Sequence, residues 1–216
     1  MDYPLVRRPQ LYRFPVYLKY LILKRNSNVK FVSPTDISKD LKLSKESIRK
    51  DFQAISKEPG IPKKGRPVDQ LISDLEEFLG YTEQTNAILI GAGNIGKALL
   101  SFNGFEDYKT KIIAAYDTNE EVVGTSVNGI PIYNLNDLKN VDKSVSVAII
   151  AVPKENAQNV ADQVMAVGIK AIYSLSPVYI VPKQDVIVET LDIASSIAYL
   201  LRKLKLKDGF KNDCRY

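Results

Sequence analysis

The glycine-rich run Gly91–Gly96 constrains the fold of this chain more than any other segment. It reads Gly-Ala-Gly-Asn-Ile-Gly, and the apolar run Ala87–Ile90 leads directly into it. A helical pattern follows, and the next apolar run, Ile112–Tyr116, ends at Asp117, 21 residues beyond Gly96. A strand, a glycine turn, a helix and a second strand ending in an acid are the parts of a dinucleotide-binding βαβ unit.

Each position of this unit has its own expected role. Gly91 permits the tight turn, Gly93 lets the backbone approach a pyrophosphate, and Gly96 allows the helix to pack on the sheet. The helix N-terminus stabilises phosphate charge. Asp117 can accept hydrogen bonds from the ribose hydroxyls and repels a 2′-phosphate, so NAD(H) is favoured over NADP(H). The cofactor-binding residues predicted in the turn are Gly91, Ala92, Gly93, Asn94, Ile95 and Gly96.

The rest of the C-terminal part continues the alternation of strands and helices. Further runs rich in Ile and Val occupy Val145–Val152, Ala171–Tyr173 and Val186–Val188, with helix-like stretches between several of them. This alternation predicts an α/β fold with a Rossmann-type parallel sheet over residues 81–189. Apolar residues at helical spacing then predict a helix over 190–206, followed by a flexible tail over 207–216.

The first 80 residues predict a winged helix instead. A first helix is expected with Pro15 in its first turn, and Ser33 and Ser44 are placed to cap the next two helices. A fourth helix ends at Gly80, which suits a C-cap. Two short helices joined by a tight turn form a helix-turn-helix. The segment Ser56–Pro67, rich in Pro, Gly and Lys, stands where the wing is expected.

Charge separates the two parts of the chain. Residues 1–68 hold 16 Lys and Arg against 6 Asp and Glu, whereas residues 69–216 hold 14 against 19. A basic segment joined to an acidic remainder indicates that only the first part meets a polyanion such as DNA. Arg49 and Lys45 are the expected base readers. The full set of predicted DNA contacts is Lys45, Ser47, Arg49 and Lys50 in the third helix and Lys63, Lys64 and Arg66 in the wing.

Composition excludes several classes of function. The chain has no histidine, and its single cysteine is Cys214, so no disulfide framework, metal site or catalytic residue is predicted. Its apolar runs are shorter than the roughly 20 residues of a membrane span, so a cytoplasmic protein without a membrane partner is expected. A Tyr-x-x-x-Lys pair occurs on a plausible helix only at Tyr199 and Lys203, beyond the last strand, where chance is the better explanation.

Over residues 11–204 the chain resembles the Rex family of redox-sensing transcriptional repressors. The telling segments are Arg13–Leu18, Ile48–Asp51, Gly91–Leu100, Asn103–Phe105, Ala115–Asp117, Gly129–Tyr133, Ala151–Pro153 and Ser176–Val178. The resemblance implies a homodimer that binds an operator in double-stranded DNA and releases it when NADH rises.

The resemblance also implies roles for individual residues. Ala151, Val152 and Pro153 would lie along the dinucleotide. The C-terminal helix would be exchanged between the two protomers, and its Asp192 would pair with Arg13 of the DNA-binding domain.

Two departures from the family leave alternatives open. Phe102 stands where most relatives have a tyrosine near the nicotinamide, so the hydrogen bond from that hydroxyl is lost. The wing, Ile61–Pro67, keeps the positive charge of the family pattern without its shape. The alternatives are a Rex-like nucleotide sensor that has lost or altered DNA binding, and a small NAD-dependent oxidoreductase.

Overall fold

Residues 8–56, 59–81 and 83–212 are described by the computed structural model, apart from the side chains of Arg8 and residues 207–212. The chain divides into two units, residues 1–83 and 84–216. They are called the N-terminal and the C-terminal unit below. Cys214 lies outside the described residues, together with the last part of the predicted tail.

The N-terminal unit contains four helices and a two-stranded sheet. The elements are α1 (Arg8–Asn26), β1 (Phe31–Val32), α2 (Pro34–Leu41), α3 (Lys45–Ile55), β2 (Arg66–Pro67) and α4 (Val68–Leu79). The two strands are antiparallel, with Val32 opposite Arg66. The helix-turn-helix formed by α2 and α3 is therefore followed by a short wing that returns beside the strand preceding it.

Local sequence accounts for the helix ends in this unit. The hydroxyl of Ser33 accepts a hydrogen bond from the N–H of Asp36, whose carboxylate accepts one from the N–H of Ser33, which is a capping box. Ser44 caps α3 through the N–H of Ser47. Gly80, with a φ of 72°, ends α4 in the left-handed conformation that favours glycine.

The position predicted for Pro15 was wrong, because α1 begins seven residues before it and the proline lies inside the helix. Phe14, Tyr17 and Leu18 around the proline are almost completely buried. Burial of each such side chain contributes about 1.5–3 kcal/mol. Their sum exceeds the roughly 3 kcal/mol that a proline costs inside a helix, so the core keeps α1 continuous.

The C-terminal unit is built on a seven-stranded sheet. Its strands are β3 (Thr85–Ile90), β4 (Thr110–Asp117), β5 (Ser126–Val127), β6 (Ile130–Asn134), β7 (Val145–Ile150), β8 (Ala171–Ser174) and β9 (Ile187–Thr190). The order in the sheet is β5-β6-β4-β3-β7-β8-β9, and only the pairing of β5 with β6 is antiparallel. Without β5 this is the strand order of a doubly wound dinucleotide-binding sheet. The predicted α/β fold class is confirmed.

Two helices and two 3₁₀ segments cover this sheet. Helix α5 (Asn94–Leu100) follows β3, and α6 (Lys154–Ala166) follows β7. Residues of α5 and α6 belong to different apolar clusters, on opposite faces of the sheet. The 3₁₀ segments are Asn103–Tyr108 and Leu135–Asn140. The sequence did not predict β5 and β6, because they are short and Pro131 interrupts the pattern of β-formers.

The last helix, α7, runs over Ile193–Asn212, so it extends beyond residue 206, where the sequence predicted its end. Its described side chains, residues 193–206, are all exposed, including several large apolar ones. Exchange of this helix between protomers stays a prediction. Among the described helices, none has the length and apolar character needed to cross a bilayer.

Candidate functional site

A cleft of about 420 Å³ opens at the carboxyl ends of β3 and β7. The connections from these two neighbouring strands lead to opposite faces of the sheet, which makes this the topological switch point where doubly wound folds bind their ligands. The lining comes from the glycine turn, the end of β4, the segment after β7 and one side of α6. Its members include Gly91, Gly93, Asp117, Thr118, Ala151, Val152, Pro153, Asn156, Asn159 and Gln163.

The three glycines of the turn differ in what a side chain at each position would meet. Gly91 has a φ of 98°, and a Cβ there would lie 2.5 Å from the carbonyl oxygen of Ala151. A Cβ on Gly96 would collide with the carbonyl oxygen of Gly91. Gly93 has an ordinary φ of −69°, and a Cβ there would meet nothing within 4 Å. The folded chain therefore needs Gly91 and Gly96, whereas Gly93 leaves open space beside the cleft, as close approach of a pyrophosphate requires.

Asp117 anchors the glycine turn and faces the cleft at the same time. One carboxylate oxygen accepts a hydrogen bond of 2.5 Å from the N–H of Ala92, and the other accepts one of 2.8 Å from the N–H of Asn119. Each oxygen has a further lone pair for a ribose hydroxyl. No lysine or arginine is among the described residues that line the cleft. A 2′-phosphate would therefore meet a carboxylate and no countercharge.

The segment Ala151–Pro153 is fixed from two directions. The N–H of Ala151 donates to the carbonyl oxygen of Ile90 at 2.8 Å. The hydroxyl of Ser176 donates to the carbonyl oxygen of Val152 at 2.5 Å. Ser176 was noted in the sequence without a role, and it holds this wall of the cleft. The polar side chains Asn156, Asn159 and Gln163 were missed, although their spacing along α6 places them on one face of a helix.

Several residues predicted for this site lie apart from the cleft lining. Phe102 is 59% exposed, and its ring packs edge-on against Phe105 at 5.4 Å between centroids. Ala92 is buried beneath the turn, while Asn94 and Ile95 are exposed in the first turn of α5. The first helical N–H groups have no acceptor within the helix, so this turn can still present donors to a phosphate.

The predicted DNA contacts lie on α3 and the wing of the N-terminal unit. Lys45, Arg49 and Lys50 are exposed on α3, and Ser47 is partly buried. Glu46 forms ion pairs with two of these basic side chains. Its carboxylate lies 3.1 Å from a terminal nitrogen of Arg49 and 3.9 Å from Nζ of Lys50. The exposed face of α3 is therefore basic but carries its own competing carboxylate.

The wing is a tight turn closed by a bridge between Ile61 and Gly65, whose N–H and carbonyl groups exchange hydrogen bonds of 2.7 and 2.9 Å. Lys63, with a φ of 65°, and Lys64 are exposed in this turn. Nζ of Lys64 lies 5.8 Å from the centroid of the Phe31 ring. Arg66 is partly buried, and together with Arg49 it lines a groove of about 440 Å³ between α3 and the wing.

Asp51 joins α3 to α1 from the buried side of α3. It is 1% exposed and accepts hydrogen bonds from Arg13 Nε at 2.7 Å, Arg13 Nη2 at 2.8 Å, Tyr17 Oη at 2.8 Å and Gln10 Nε2 at 3.1 Å. Burial alone would raise the pKa of Asp51. The hydrogen bonds, led by those from Arg13, outweigh burial and keep this pKa below its ordinary value.

Arg13 and Asp192, the predicted switch pair, each have a partner inside their own unit. The two bonds from Arg13 to Asp51 use two of the five N–H donors of its guanidinium. Asp192 caps α7, where it accepts hydrogen bonds from the N–H of Ser195 at 3.1 Å and from its hydroxyl at 2.5 Å. The Ser195 hydroxyl and N–H lower the pKa of Asp192.

A winged-helix unit joined to a Rossmann unit with a dinucleotide cleft defines a class of protein, the ligand-responsive DNA-binding regulators. Two family models match the chain in agreement with this division. Residues 8–53 match "Putative DNA-binding protein N-terminus", and residues 82–178 match "CoA binding domain".

Similar proteins specify the class further. The chain is 35% identical to the redox-sensing transcriptional repressor Rex of Bacteroides fragilis over 205 residues, which cover 94% of this chain and 93% of that protein. It is 36% identical to the repressor of the same name from Bacillus subtilis over 195 residues, 89% of each chain. The chain belongs to the Rex family, and the resemblance inferred from the sequence is confirmed.

Solved structures agree with this assignment. The structure of RSP in complex with β-NAD⁺ and operator DNA matches with a TM-score of 0.88 and 26% identity, covering 97% of each chain. The structure of RSP in complex with β-NADH matches with a TM-score of 0.84 and 26% identity, covering 97% of this chain and 99% of that one. The similarity therefore extends over both units.

Proposed function

We propose that this protein is a transcriptional repressor that binds operator DNA through its N-terminal unit and NAD(H) through its C-terminal unit, and that it leaves the operator when NADH binds. The observation that carries the proposal is the cleft at the switch point, with open space at Gly93 and Asp117 at its edge, in a chain whose other unit is a basic winged helix. The complexes of RSP with NAD⁺, NADH and operator DNA support it.

In the cleft, Gly93 and the first turn of α5 would hold the pyrophosphate, and Asp117 would hold the adenosine ribose. Ala151–Pro153 would lie along the dinucleotide toward the nicotinamide. Phe102 would adjoin the nicotinamide, and its ring has no hydroxyl to donate a hydrogen bond there.

On DNA, Arg49 and Lys45 would read bases in the major groove, with Ser47 beside them, while Lys50, Lys63, Lys64 and Arg66 neutralise phosphates. DNA binding must separate Arg49 from Glu46. This separation is offset only when a DNA base offers Arg49 better hydrogen-bond acceptors than Glu46 does. This is a source of specificity, because a mismatched base leaves the Arg49–Glu46 pair the better alternative. In a homodimer, the two half-sites would lie about 10 bp or a multiple of this apart.

Release would follow from linkage. NADH must bind more tightly to the conformation that cannot engage DNA than to the conformation that can. DNA must then weaken NADH binding by the same factor by which NADH weakens DNA binding. Asp192 on an exchanged α7 would pair with the N–H donors of Arg13 that Asp51 does not use. A movement of α7 would then be transmitted to α3 through Arg13 and Asp51. An Asp192→Ala variant should bind NADH normally and no longer be released by it. Normal release from this variant would exclude Asp192 as the reporter.

The first test is fluorescence anisotropy of the full chain on a duplex from its own upstream region. A scrambled duplex at the same salt concentration serves as the control. Release by NADH at concentrations where NAD⁺ has no effect would support a redox repressor acting in the cytoplasm. Specific binding that neither nucleotide alters would contradict the sensing role. Equal binding to both duplexes would favour the alternative of a nucleotide sensor that no longer recognises an operator.

An oxidoreductase is the weaker alternative. Tyr199 and Lys203, its best candidate pair, lie on α7, and Nζ of Lys203 contacts the Tyr199 ring at 5.2 Å from the centroid. A cation–π contact on an exposed helix positions neither group against a bound nicotinamide. The relatives are named as transcriptional repressors, and this favours binding without turnover.

A further inference from the structure

A second cavity, of about 440 Å³, lies in the C-terminal unit beside the 3₁₀ segment Leu135–Asn140. Its apolar floor is formed by Ile88, Ile113, Ala114 and Val145 of the sheet. A six-residue 3₁₀ segment precedes β7, where an α-helix would cover more of this face. Apart from Tyr116, the cavity shares no lining residue with the dinucleotide cleft in the described chain.

Tyr116 lines this cavity. Its side chain is 5% exposed, and its hydroxyl makes no hydrogen bond with another described residue. The hydroxyl oxygen stays open to solvent, because Ser56 Oγ is the one fully buried side-chain oxygen or nitrogen without a partner in the described part of the chain. Burial raises the pKa of Tyr116, with Tyr133, Asp137 and Asp142 adding to the effect. The hydroxyl therefore stays neutral and can donate a hydrogen bond to a ligand.

The rim of the cavity is acidic and largely without protein partners. The side chains of Asp137 and Asn140 are exposed and make no hydrogen bond or ion pair with other described residues. Asp142 accepts a hydrogen bond of 2.8 Å from the N–H of Ser144. The ring of Tyr133 is tilted against that of Tyr116 at 5.8 Å between centroids. In the described part of the chain, no lysine or arginine contributes to the lining.

We propose that this cavity is a second ligand site, which binds a small organic cation with an ammonium or amidinium group on an apolar body. The sheet residues would contact the apolar body. Asp137 and Asp142 would pair with the positive group, and Asn140 and the Tyr116 hydroxyl would supply hydrogen bonds. The faces of Tyr133 and Tyr116 attract cations as well. An anionic ligand is excluded by the two carboxylates, and the apolar floor does not suit a bare metal ion, which requires oxygen ligands on most sides. The volume lies within the range of small-molecule sites.

The test is a two-dimensional ¹H–¹⁵N NMR titration of the full chain with benzylammonium as the probe. Benzyl alcohol, which has nearly the same shape and no charge, is the matched ligand control. Benzylammonium should cause saturable shifts of amides in residues 112–116 and 137–145, and benzyl alcohol should bind at least tenfold more weakly. Absence of saturable shifts, or equal shifts with the alcohol, would overturn the proposal.

Two substitutions locate the effect. Asp137→Asn should weaken benzylammonium at least tenfold, because it removes the rim carboxylate that has no protein partner. Asp107→Asn removes the same charge from an exposed position outside this cavity, and the affinity should stay unchanged. Both variants should bind NADH like the parent protein. An Asp137→Asn variant with unaltered benzylammonium affinity and normal NADH binding would refute the site while leaving the proposed function intact.

Discussion

The two units of this chain build their sites from different chemical groups. The N-terminal unit presents long charged side chains on exposed faces of α3 and the wing, held in place by one buried network around Asp51. The C-terminal unit uses backbone geometry at three glycines and a single carboxylate at Asp117. The proposed DNA binding would be spread over many salt-dependent contacts of the first unit, whereas the proposed dinucleotide binding would depend on a few positions of the second where one added carbon fills the space of the ligand.

The largest expected effect tests the buried network. Asp51→Ala removes the acceptor of four hydrogen bonds and leaves the partly buried Arg13 without its counterion. Breaking a buried pair in this way costs roughly 3–5 kcal/mol, so chemical denaturation should show the N-terminal unit strongly destabilised. Asp40→Ala, in the same unit, removes an exposed carboxylate that pairs with Lys24 and accepts one hydrogen bond from the Tyr20 hydroxyl, and it should cost less because a single hydrogen bond and a surface ion pair are lost. Equal losses for the two variants would contradict the anchoring role of Asp51.

Acid should reproduce this effect in the unmodified protein. The pKa of Asp51 is lower in the folded than in the unfolded chain, so folding is favoured by the ionised form. Its contribution is complete above the ordinary carboxyl pKa of about 3.9, and it is lost as the pH falls through the lower folded value. The stability of the N-terminal unit should therefore decrease below about pH 4. Asp51→Asn should flatten this part of the profile; an unchanged profile would assign acid sensitivity to other carboxylates.

A pair of glycine substitutions separates folding from binding in the C-terminal unit. Gly96→Ala forces a Cβ onto the Gly91 carbonyl oxygen and should cost about 1–3 kcal/mol of stability. The added Cβ of Gly93→Ala meets only open space, so the melting temperature should stay unchanged. The affinity for NADH should fall more than tenfold, because the Cβ fills the space of the pyrophosphate. Calorimetry and NADH fluorescence measure both quantities. A Gly93→Ala variant that binds NADH normally would show that the phosphates lie elsewhere.

Asp117→Asn should have a smaller effect on binding. An amide has one acceptor oxygen, so it keeps the hydrogen bond from the N–H of Ala92 or the one from Asn119 but not both. It also loses the charge-assisted bonds to ribose, worth about 1.5–3 kcal/mol in all. NADH affinity should fall about tenfold or more by this estimate. Discrimination against NADPH should decrease too, because the repulsion of a 2′-phosphate is gone. Selectivity equal to that of the parent protein would exclude Asp117 as its cause.

The smallest expected effect concerns the wing. Lys64→Ala should weaken operator and scrambled DNA alike and reduce the slope of log K against log salt by about one unit. Lys139→Ala, on the exposed surface of the C-terminal unit, should leave the slope unchanged. If Lys64→Ala lost affinity for the operator alone, Lys64 would contact a base. The wing would then resemble the dinucleotide cleft, where a few positions carry the binding.

The helices of the N-terminal unit and the first βαβ unit were predicted from the sequence, with an error of seven residues at the start of α1. Ser33, Ser44 and Gly80 determine helix ends through hydrogen bonds to residues within a few positions. Asp117 at the end of β4 was predicted from its spacing to the glycine turn, although its hydrogen bond to the N–H of Ala92 spans 25 positions. The prediction for Pro15 was wrong because its local preference was weighed without the buried side chains around it.

Contacts between residues far apart in the chain could not be predicted from local sequence patterns. Arg13 and Asp51 are 38 positions apart, and the sequence assigned Arg13 only to Asp192. Phe102 was identified through the family pattern, but its packing against Phe105 depends on how the segment 103–108 folds back. The acidic cavity around Tyr116 had no signal in the sequence, because its lining comes from the four strands β3, β4, β6 and β7 and from the segment between β6 and β7.

The sequence by itself therefore determined the two units, their elements and the chemistry of the dinucleotide turn, since these depend on periodicity and on short-range hydrogen bonds. Only the tertiary structure decided which glycine leaves space for a ligand, which acid holds Arg13 and which side chains line the cavity beside Tyr116. Such features depend on the distances between residues far apart in the chain, and those distances are set when the cores of the two units pack.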